Sequence, residues 1–285
     1  MCAAAADWSD TSLSWRYGTQ FREPYVNSGP TNSDPNDISK NIFALTHVSG
    51  YTYGVNFFNV DMLLSNNHDP ANCSNFNCTG AAQETYVVYR NLVDFAKVTG
   101  NSLKMSVIQS WGATVGFDYN SKTDAGYNSK KRMLVLGPTA MFDVPGFLNV
   151  SVLALWESNA PCTTFPPAAV GFPPSGCVPR YSYKTHAMLT GAWGIPIGGS
   201  GFSFEGYMNW IAQKGTNEFG GPTKPETDFD GEIMYDFGAL MGSKGKIKAG
   251  FEYQYWKNKF GNDASGAAGP GAFAKTPMVR VEYHF

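Results

Sequence analysis

The chain has 285 residues and a formal net charge of −2, with 21 Lys and Arg against 23 Asp and Glu. This near-neutral balance lacks the basic footprint of a nucleic-acid-binding protein, so we expect no nucleic-acid partner. Charged residues make up 15% of the chain, against roughly 25% in typical soluble domains. No segment approaches the roughly 18–20 consecutive apolar residues of a membrane helix. A membrane-spanning interpretation therefore requires a closed β-barrel.

The N-terminus reads MCAAAADWSD and contains an Ala-x-Ala pattern over residues 4–6. Such a pattern is typical of a signal-peptidase site, although no basic or long apolar segment precedes it. We interpret residues 1–6 as the remnant of a secretory signal, with a cloning remnant as the alternative. Residues 7–285 are predicted to form a single domain.

Alternation of apolar and polar residues recurs along the rest of the chain, and no extended helical period accompanies it. In the segment 228–240, Phe229 and Ile233 share one parity, whereas Asp230 and Glu232 share the other. This period-two pattern predicts β-strands with one apolar and one polar face. Twelve strands are predicted, near residues 8–18, 40–48, 51–65, 83–97, 104–118, 131–143, 147–158, 181–196, 201–213, 228–240, 246–257 and 275–285.

The connections between the predicted strands alternate between short and long. Short turns with Gly, Pro or Asn are predicted at 49–50, 99–102, 144–146, 197–201 and 242–245. Long polar loops are predicted near 19–39, 66–82, 119–130, 159–180, 214–227 and 258–274. Short connections at one rim and long ones at the other are typical of a transmembrane β-barrel with short periplasmic turns and long extracellular loops.

Four of the five cysteines lie in two of the predicted long loops. Cys73 and Cys78 enclose a short polar segment, and Cys162 and Cys177 enclose a Pro-rich one. No histidine is close enough in sequence to suggest zinc. The pattern favours two loop disulfides in an oxidising compartment, and we expect neither metal nor cofactor.

A soluble barrel or β-sandwich shows the same alternation with its apolar face inward, and it remains the alternative fold. Two features favour the membrane barrel. Aromatic residues of the apolar parity lie near strand ends, as in the interfacial girdles of such barrels, at Trp15, Tyr17, Tyr51, Tyr53, Trp193, Tyr253 and Tyr255. The polar parity carries both signs of charge, which suits a water-filled lumen. We therefore predict an all-β, twelve-stranded antiparallel transmembrane β-barrel in a Gram-negative outer membrane, in contact with lipid and lipopolysaccharide.

Strand parity also predicts which side chains line the lumen. A pore selective for small polar solutes needs aromatic faces beside charged and amide groups. The inward residues that meet this description are the candidate solute-binding residues Arg16, Glu205, Tyr207, Asp230, Glu232, Lys248, Glu252, Trp256, Arg280 and Glu282. The alternative is that these charges pair across neighbouring strands and only hold the lumen together.

Four segments carry a family resemblance: YGVNFFNVDMLLS (53–65), GYNSKKRMLVLGPTAMFDVPG (126–146), FEYQYWKNKFG (251–261) and VRVEYHF (279–285). The chain resembles the outer-envelope proteins grouped with the Tsx-like nucleoside-specific channels of Gram-negative bacteria. The resemblance implies a twelve-stranded outer-membrane barrel and nucleosides as solutes. The ending, with Val281, Tyr283 and Phe285 at alternate positions, is similar to the signal read by the barrel-assembly machinery, which the resemblance makes an expected partner.

The functional hypothesis is an outer-membrane channel for passive uptake of small polar solutes, with nucleosides as the expected class. A general small-solute porin is one alternative. Another is a structural or adhesive surface barrel whose disulfide-closed loops bind a partner. No hydrolase motif is recognised around the four histidines, so we expect no enzyme activity.

Overall fold

The computed structural model of the chain describes residues 6–28, 34–74, 77–164, 176–266 and 268–285. Most of the interpreted signal remnant, residues 1–5, lies outside them. The described residues include twelve long antiparallel strands: β1 (Trp8–Phe21), β2 (Ile38–Tyr51), β3 (Gly54–Ser65), β4 (Gln83–Asp94), β5 (Ile108–Lys122), β6 (Arg132–Phe142), β7 (Phe147–Asn159), β8 (His186–Pro196), β9 (Phe202–Ile211), β10 (Glu226–Asp236), β11 (Ile247–Lys257) and β12 (Phe273–His284).

The sheet closes on itself, because the last strand pairs with the first. The register of β12 against β1 runs from Ser12 opposite His284 to Gly18 opposite Met278. Each remaining strand pairs with its neighbours in sequence. Closure removes the two edges that an open sheet would expose. The predicted twelve-stranded antiparallel barrel is thus confirmed.

One rim of the barrel carries the short connections, as predicted, but three of them differ from the expected positions. The first turn is at 52–53 rather than 49–50, because β2 continues through both predicted turn residues. The second connection spans 95–107 and contains the helix α1 (Phe95–Thr99), whose N-terminus is capped by the Asp94 side chain. The fifth contains a 3₁₀ turn at Phe237–Met241. No helix in the described part of the chain is long and apolar enough to cross a membrane.

The other rim carries the six long loops, which we name L1 (22–37), L2 (66–82), L3 (123–131), L4 (160–185), L5 (212–225) and L6 (258–272). Disulfides join Cys73 to Cys78 in L2 and Cys162 to Cys177 in L4. Both cysteine pairings expected from the sequence are therefore present. Short strand pairs form within three of these loops, at Asn27–Ser28 with Asp34–Pro35, Asn72–Ser74 with Asn77–Thr79, and Cys162–Thr163 with Gly176–Cys177. One more short strand, Tyr181–Ser182, pairs with the end of β7.

Inward and outward faces follow the predicted parity, but the inward face is not polar throughout. Below the long loops, Met133, Val135, Leu153, Leu155 and Met188 form a buried apolar cluster on β6, β7 and β8. A second apolar cluster joins β1, β2 and β12 to L1 through Phe21, Val26, Ile38, Ile42 and Met278. Most of the inward charged side chains consequently lie on β9–β12 and β1–β5.

Candidate functional site: the lumen and its roof

The centre of the lumen holds a charge network built from β1, β3, β10, β11 and β12, which we call the luminal network. Arg16 lies 2.6 Å from Asp61 and 3.3 Å from Glu252. Arg280 lies 2.8 Å from Glu232 and 3.0 Å from Glu252, so Glu252 joins the two guanidinium groups. Because the contact between Arg16 and Glu252 crosses the junction between β1 and β12, this part of the network depends on closure.

The network continues towards the short-turn rim. Arg280 also pairs with Glu282 on its own strand. Glu282 lies 3.4 Å from His284, which in turn lies 2.8 Å from Asp10 on β1. A separate pair joins Lys248 to Glu205 at 2.7 Å. Opposite charges thus connect β10 to β1 around one side of the lumen, and the separate pair joins β9 to β11.

Tyr207 on β9 lines open space in the lumen. Its side chain is 36% exposed although it points inward, and its hydroxyl donates to Asp228 Oδ2 at 3.2 Å. The other oxygen of this carboxyl, Asp228 Oδ1, is buried without a hydrogen-bond partner among the described residues. The same holds for Ser14 Oγ and Arg16 Nε. These atoms give the lumen hydrogen-bonding capacity that the described protein groups do not fill.

The opposite wall has a smaller polar group. Arg90 on β4 pairs with Asp118 on β5, and Tyr86 donates to the same carboxylate at 3.2 Å. Tyr86 also packs against the apolar cluster of β6–β8. A solute in the lumen would therefore face a charged wall on one side and a mainly apolar wall on the other.

Residues of the long loops and of the adjoining strand ends cover the long-loop end of the lumen, and we call them the roof. The first part of the roof is centred on Glu23 of L1. Glu23 lies 2.5 Å from Lys40, 3.0 Å from Lys122 and 3.2 Å from Lys259. All four side chains are almost completely buried. Burial raises the pKa of Glu23, but the three ammonium groups outweigh it and hold the pKa well below its usual value. Glu23 thus ties L1 to β2, β5 and L6.

An aromatic cluster forms the second part of the roof. Tyr25 of L1, Tyr127 of L3 and Phe260 of L6 are buried together, and Phe219 of L5 packs against them. The rings of Tyr127 and Phe260 stack with centroids 5.8 Å apart. Residues of four loops therefore meet above the lumen and pack through their aromatic rings.

A second buried carboxylate fixes the remaining side of the roof. Glu157 at the end of β7 pairs with Lys131 and lies 2.7 Å from Lys214 of L5. The ammonium of Lys131 also lies 4.7 Å from the centre of the Phe260 ring, a cation–π geometry. Nearby, Glu218 of L5 accepts a hydrogen bond from Tyr183 at 2.5 Å. Through these contacts, L3, L4, L5 and L6 pack together on one side of the roof.

The short-turn end of the lumen is more open. A cavity of about 350 Å³ lies inside this mouth, between the barrel wall and the connection 95–107. Its lining mixes inward wall residues, such as Leu92 and Met141, with Lys97 and Leu103 of that connection. The lumen is thus covered at one end and accessible at the other.

The predicted lumen residues point inward, but their surroundings differ from the expectation. Cross-strand ion pairing, the alternative left open by the sequence, accounts for the contacts of Arg16, Glu205, Glu232, Lys248, Glu252 and Arg280. Glu282 pairs instead with Arg280 on its own strand. Trp256 belongs to the roof rather than to open lumen, because it packs against Phe260 and donates to Glu226 at 2.6 Å. Tyr207 retains exposed surface, and Asp230 lies beside Glu252 without a cation within ion-pair distance among the described residues.

Several functional residues were missed by the parity argument. Asp61 occupies an inward position of β3, and its parity relative to Asn59 and Leu63 could have identified it. Glu226 lies two residues before the predicted start of its strand. Glu23 and the lysines around it had no sequence signal, because the contacts join segments up to 236 residues apart.

Val281 and Tyr283 of β12, together with Phe285, are exposed on the outer wall at 42%, 51% and 58%. They are expected to carry an assembly signal, and that role stays a prediction.

No family model matches the chain, and no curated protein matches it either. Among solved structures, the chain is similar to the KdgM porin, with 11% identity over 96% of this chain and 99% of that one at a TM-score of 0.42. It is also similar to the translocator domain of the autotransporter NalP from Neisseria meningitidis, with 10% identity over 100% and 90% of the two chains at a TM-score of 0.46. A third similar structure is the COG4313 outer membrane channel from Pseudomonas putida F1, with 10% identity over 99% and 97% at a TM-score of 0.46. Similarity at this level assigns neither a family nor a solute to this chain.

Proposed function

We propose that the chain is an outer-membrane channel through which small polar solutes pass passively. The observation that carries the proposal is a closed barrel whose inner wall is charged and contains buried polar atoms without described partners, at Ser14, Arg16 and Asp228. Such groups are stabilised when water or a polar solute completes their hydrogen bonds. An inner wall of this kind suits a conducting lumen better than a packed protein core.

The outer wall supports the membrane location. Its exposed residues are large and apolar, with Leu13, Leu134, Val152, Ile233 and Phe251 between 50% and 75% exposed. A soluble protein rarely exposes so large a continuous apolar surface. Exposed aromatic residues lie near both ends of the strands, at Trp8, Tyr53, Phe147 and Phe202 on the short-turn side and at Tyr17, Tyr119, Trp156 and Trp210 on the long-loop side. Two such girdles match the two interfaces of a membrane.

Nucleosides are the solute class that we propose to test first. The Tsx-like resemblance supplies this class, and two features of the lumen support it. The Tyr207 ring offers an aromatic face beside the carboxyl of Asp228, and the opposite wall is apolar. A flat base can pack between such walls while its polar edge and sugar meet charged groups.

The roof favours a second candidate function, a structural or adhesive barrel with a closed lumen. Lys40, Lys122, Lys131 and Lys214 at the long-loop end are almost fully buried, so the described parts of the loops pack closely over this end of the lumen. In that case the loops that carry the two disulfides would bind a partner at the cell surface.

Planar-bilayer recordings separate the two functions. The purified chain should first migrate differently on SDS gels before and after boiling, which establishes a folded barrel. Stepwise currents reduced by added nucleoside would support the nucleoside channel, whereas currents indifferent to nucleosides would support a general porin. A folded barrel that never conducts would overturn the channel and leave the structural function.

The lipid contact of the outer wall is tested by Phe251→Arg. Phe251 is 75% exposed at the middle of β11, where an arginine facing lipid is expected to cost about 2–4 kcal/mol of folding free energy. Urea unfolding in lipid vesicles measures the loss, with Phe251→Leu as the apolar control. An arginine variant as stable as the leucine variant would show that this wall does not face hydrocarbon.

A further inference from the structure

The inward face of β10 carries an acidic residue at every second position from Glu226 to Glu232, and we call these four residues the acidic column. Its members are Glu226, Asp228, Asp230 and Glu232. Successive side chains on one face of a strand are roughly 7 Å apart. The column therefore runs through the lumen from the roof to the luminal network.

The described cations do not neutralise this column. Arg280 pairs with Glu232, and Arg16 is occupied by Asp61 and Glu252. Neither Asp228 nor Asp230 has a Lys, Arg or His nitrogen within ion-pair distance among the described residues. The middle of the column thus forms no ion pair with the part of the chain that the structure describes.

Asp228 gives independent evidence that something from solution completes the site. It lies at an inward position of β10 and is more than nine-tenths buried, and its Oδ1 has no hydrogen-bond partner among the described residues. A buried carboxylate is strongly destabilising unless it is paired or hydrogen-bonded. A positive charge entering the lumen would supply the missing partner.

The neighbour of Asp228 fits an ammonium group. Tyr207 contacts Asp228 through its hydroxyl and keeps over a third of its surface exposed. An aromatic face beside a carboxylate is a favourable setting for an organic cation, because ring and carboxylate both attract positive charge. The roughly 7 Å spacing of the column offers a moving cation successive contacts.

We propose that the lumen selects cations, and that Asp228 and Asp230 determine this selectivity for monovalent cations and small ammonium-bearing solutes. The inference rests on the proposed channel function. Anions would be disfavoured by the excess of carboxylates, although Arg16 and Arg280 are close by.

The test is the reversal potential of the channel under a tenfold KCl gradient. The unmodified chain is expected to pass K⁺ in preference to Cl⁻. Asp228→Asn and Asp230→Asn are each expected to lower the permeability ratio by about fivefold, the effect of removing one nearby unit charge in water. Asp143→Asn is the matched control, because Asp143 pairs with Lys104 outside the lumen at the short-turn rim.

The recordings distinguish the proposed cation selectivity from the proposed channel function. A conducting but unselective chain would overturn cation selection and leave the channel intact. A selective chain whose ratio is unchanged in both asparagine variants would overturn the assignment to Asp228 and Asp230.

A chain that does not conduct would overturn the proposed channel function. The proposed cation site at Asp228 would then be tested by a binding measurement. Tetramethylammonium chloride should raise the temperature at which the folded band is lost on SDS gels, relative to sodium chloride. This rise should disappear in Asp228→Asn. An equal rise in the unmodified chain and in the variant would show that Asp228 does not bind the cation. Gel mobility before and after boiling verifies that each variant is folded.

Discussion

Replacing Glu23 with glutamine is expected to open the roof and increase the current through the barrel. The carboxylate of Glu23 is shared by Lys40, Lys122 and Lys259. Loss of this carboxylate leaves the three ammonium groups together in a buried site. The nearby carboxylate of Asp69, 3.8 Å from Lys40, compensates only part of their charge. Removing one partner from a buried ionic group typically costs about 3–5 kcal/mol. Because the cluster ties L1 to L6, we expect the repulsion between the ammonium groups to separate these two loops.

Single-channel conductance and limited proteolysis measure this opening. The glutamine variant should conduct more and be cut faster in L1, while the gel mobility of the barrel is retained. Asp37→Asn is the control in the same loop, because Asp37 forms an exposed pair with Arg22, and exposed pairs contribute about 1 kcal/mol or less. Equal conductance in the two variants would show that Glu23 does not hold the roof closed.

The ion pairs of Glu23 itself should withstand acid, because the pKa of Glu23 is held well below its usual value by the lysines. A depressed folded-state pKa gives stability that is present above the unfolded value of about 4.5 and lost only as pH falls through the folded value. Lowering the pH from 7 to 5 is therefore not expected to open the roof by protonating Glu23.

Arg280→Gln is expected to have the largest effect on the lumen itself. Arg280 contacts Glu232, Glu252 and Glu282 on three adjacent strands. Without it these carboxylates repel one another, and we expect a loss of about 3–5 kcal/mol in folding free energy. Arg280→Lys should recover little of this folding free energy, because one ammonium group cannot reproduce the directed contacts of a guanidinium group.

A double-mutant cycle isolates the interaction. Urea unfolding in lipid vesicles would compare Arg280→Gln, Glu232→Gln and the double variant. Since each single change leaves a buried charge without its partner, the double variant should be more stable than the sum of the two losses predicts. Strictly additive losses would contradict a direct ionic contact between Arg280 and Glu232.

The sequence alone determined the barrel topology. Side chains on a strand alternate with a period of two, so the face of each residue is a local property that any correct strand assignment reveals. This is why Arg16, Glu232 and Arg280 could be placed in the lumen before any pairing was known. The alternation of short and long connections likewise fixed the antiparallel order. Cys73 with Cys78 and Cys162 with Cys177 followed from their closeness in sequence.

Local features at strand ends were less predictable. Ser49 and Gly50 read as a turn, yet they are paired within β2, because ladder pairing with β1 and β3 outweighs the turn preference of two residues. Helix α1 is five residues long and too short to show a helical period. Its capping residue Asp94 lies inside the strand predicted at 83–97.

Only the tertiary structure decided which charges are paired and which are not. Whether Arg16 meets Glu252 depends on the closure of β1 against β12, and no local pattern records the partner across that junction. The roof is the extreme case, because Glu23 and Lys259 come together from opposite ends of the chain through irregular loops. Parity assigns a side chain to a face of the sheet. Ion pairing, burial and the absence of a hydrogen-bond partner for Asp228 Oδ1 among the described residues depend on distances that closure and loop packing set.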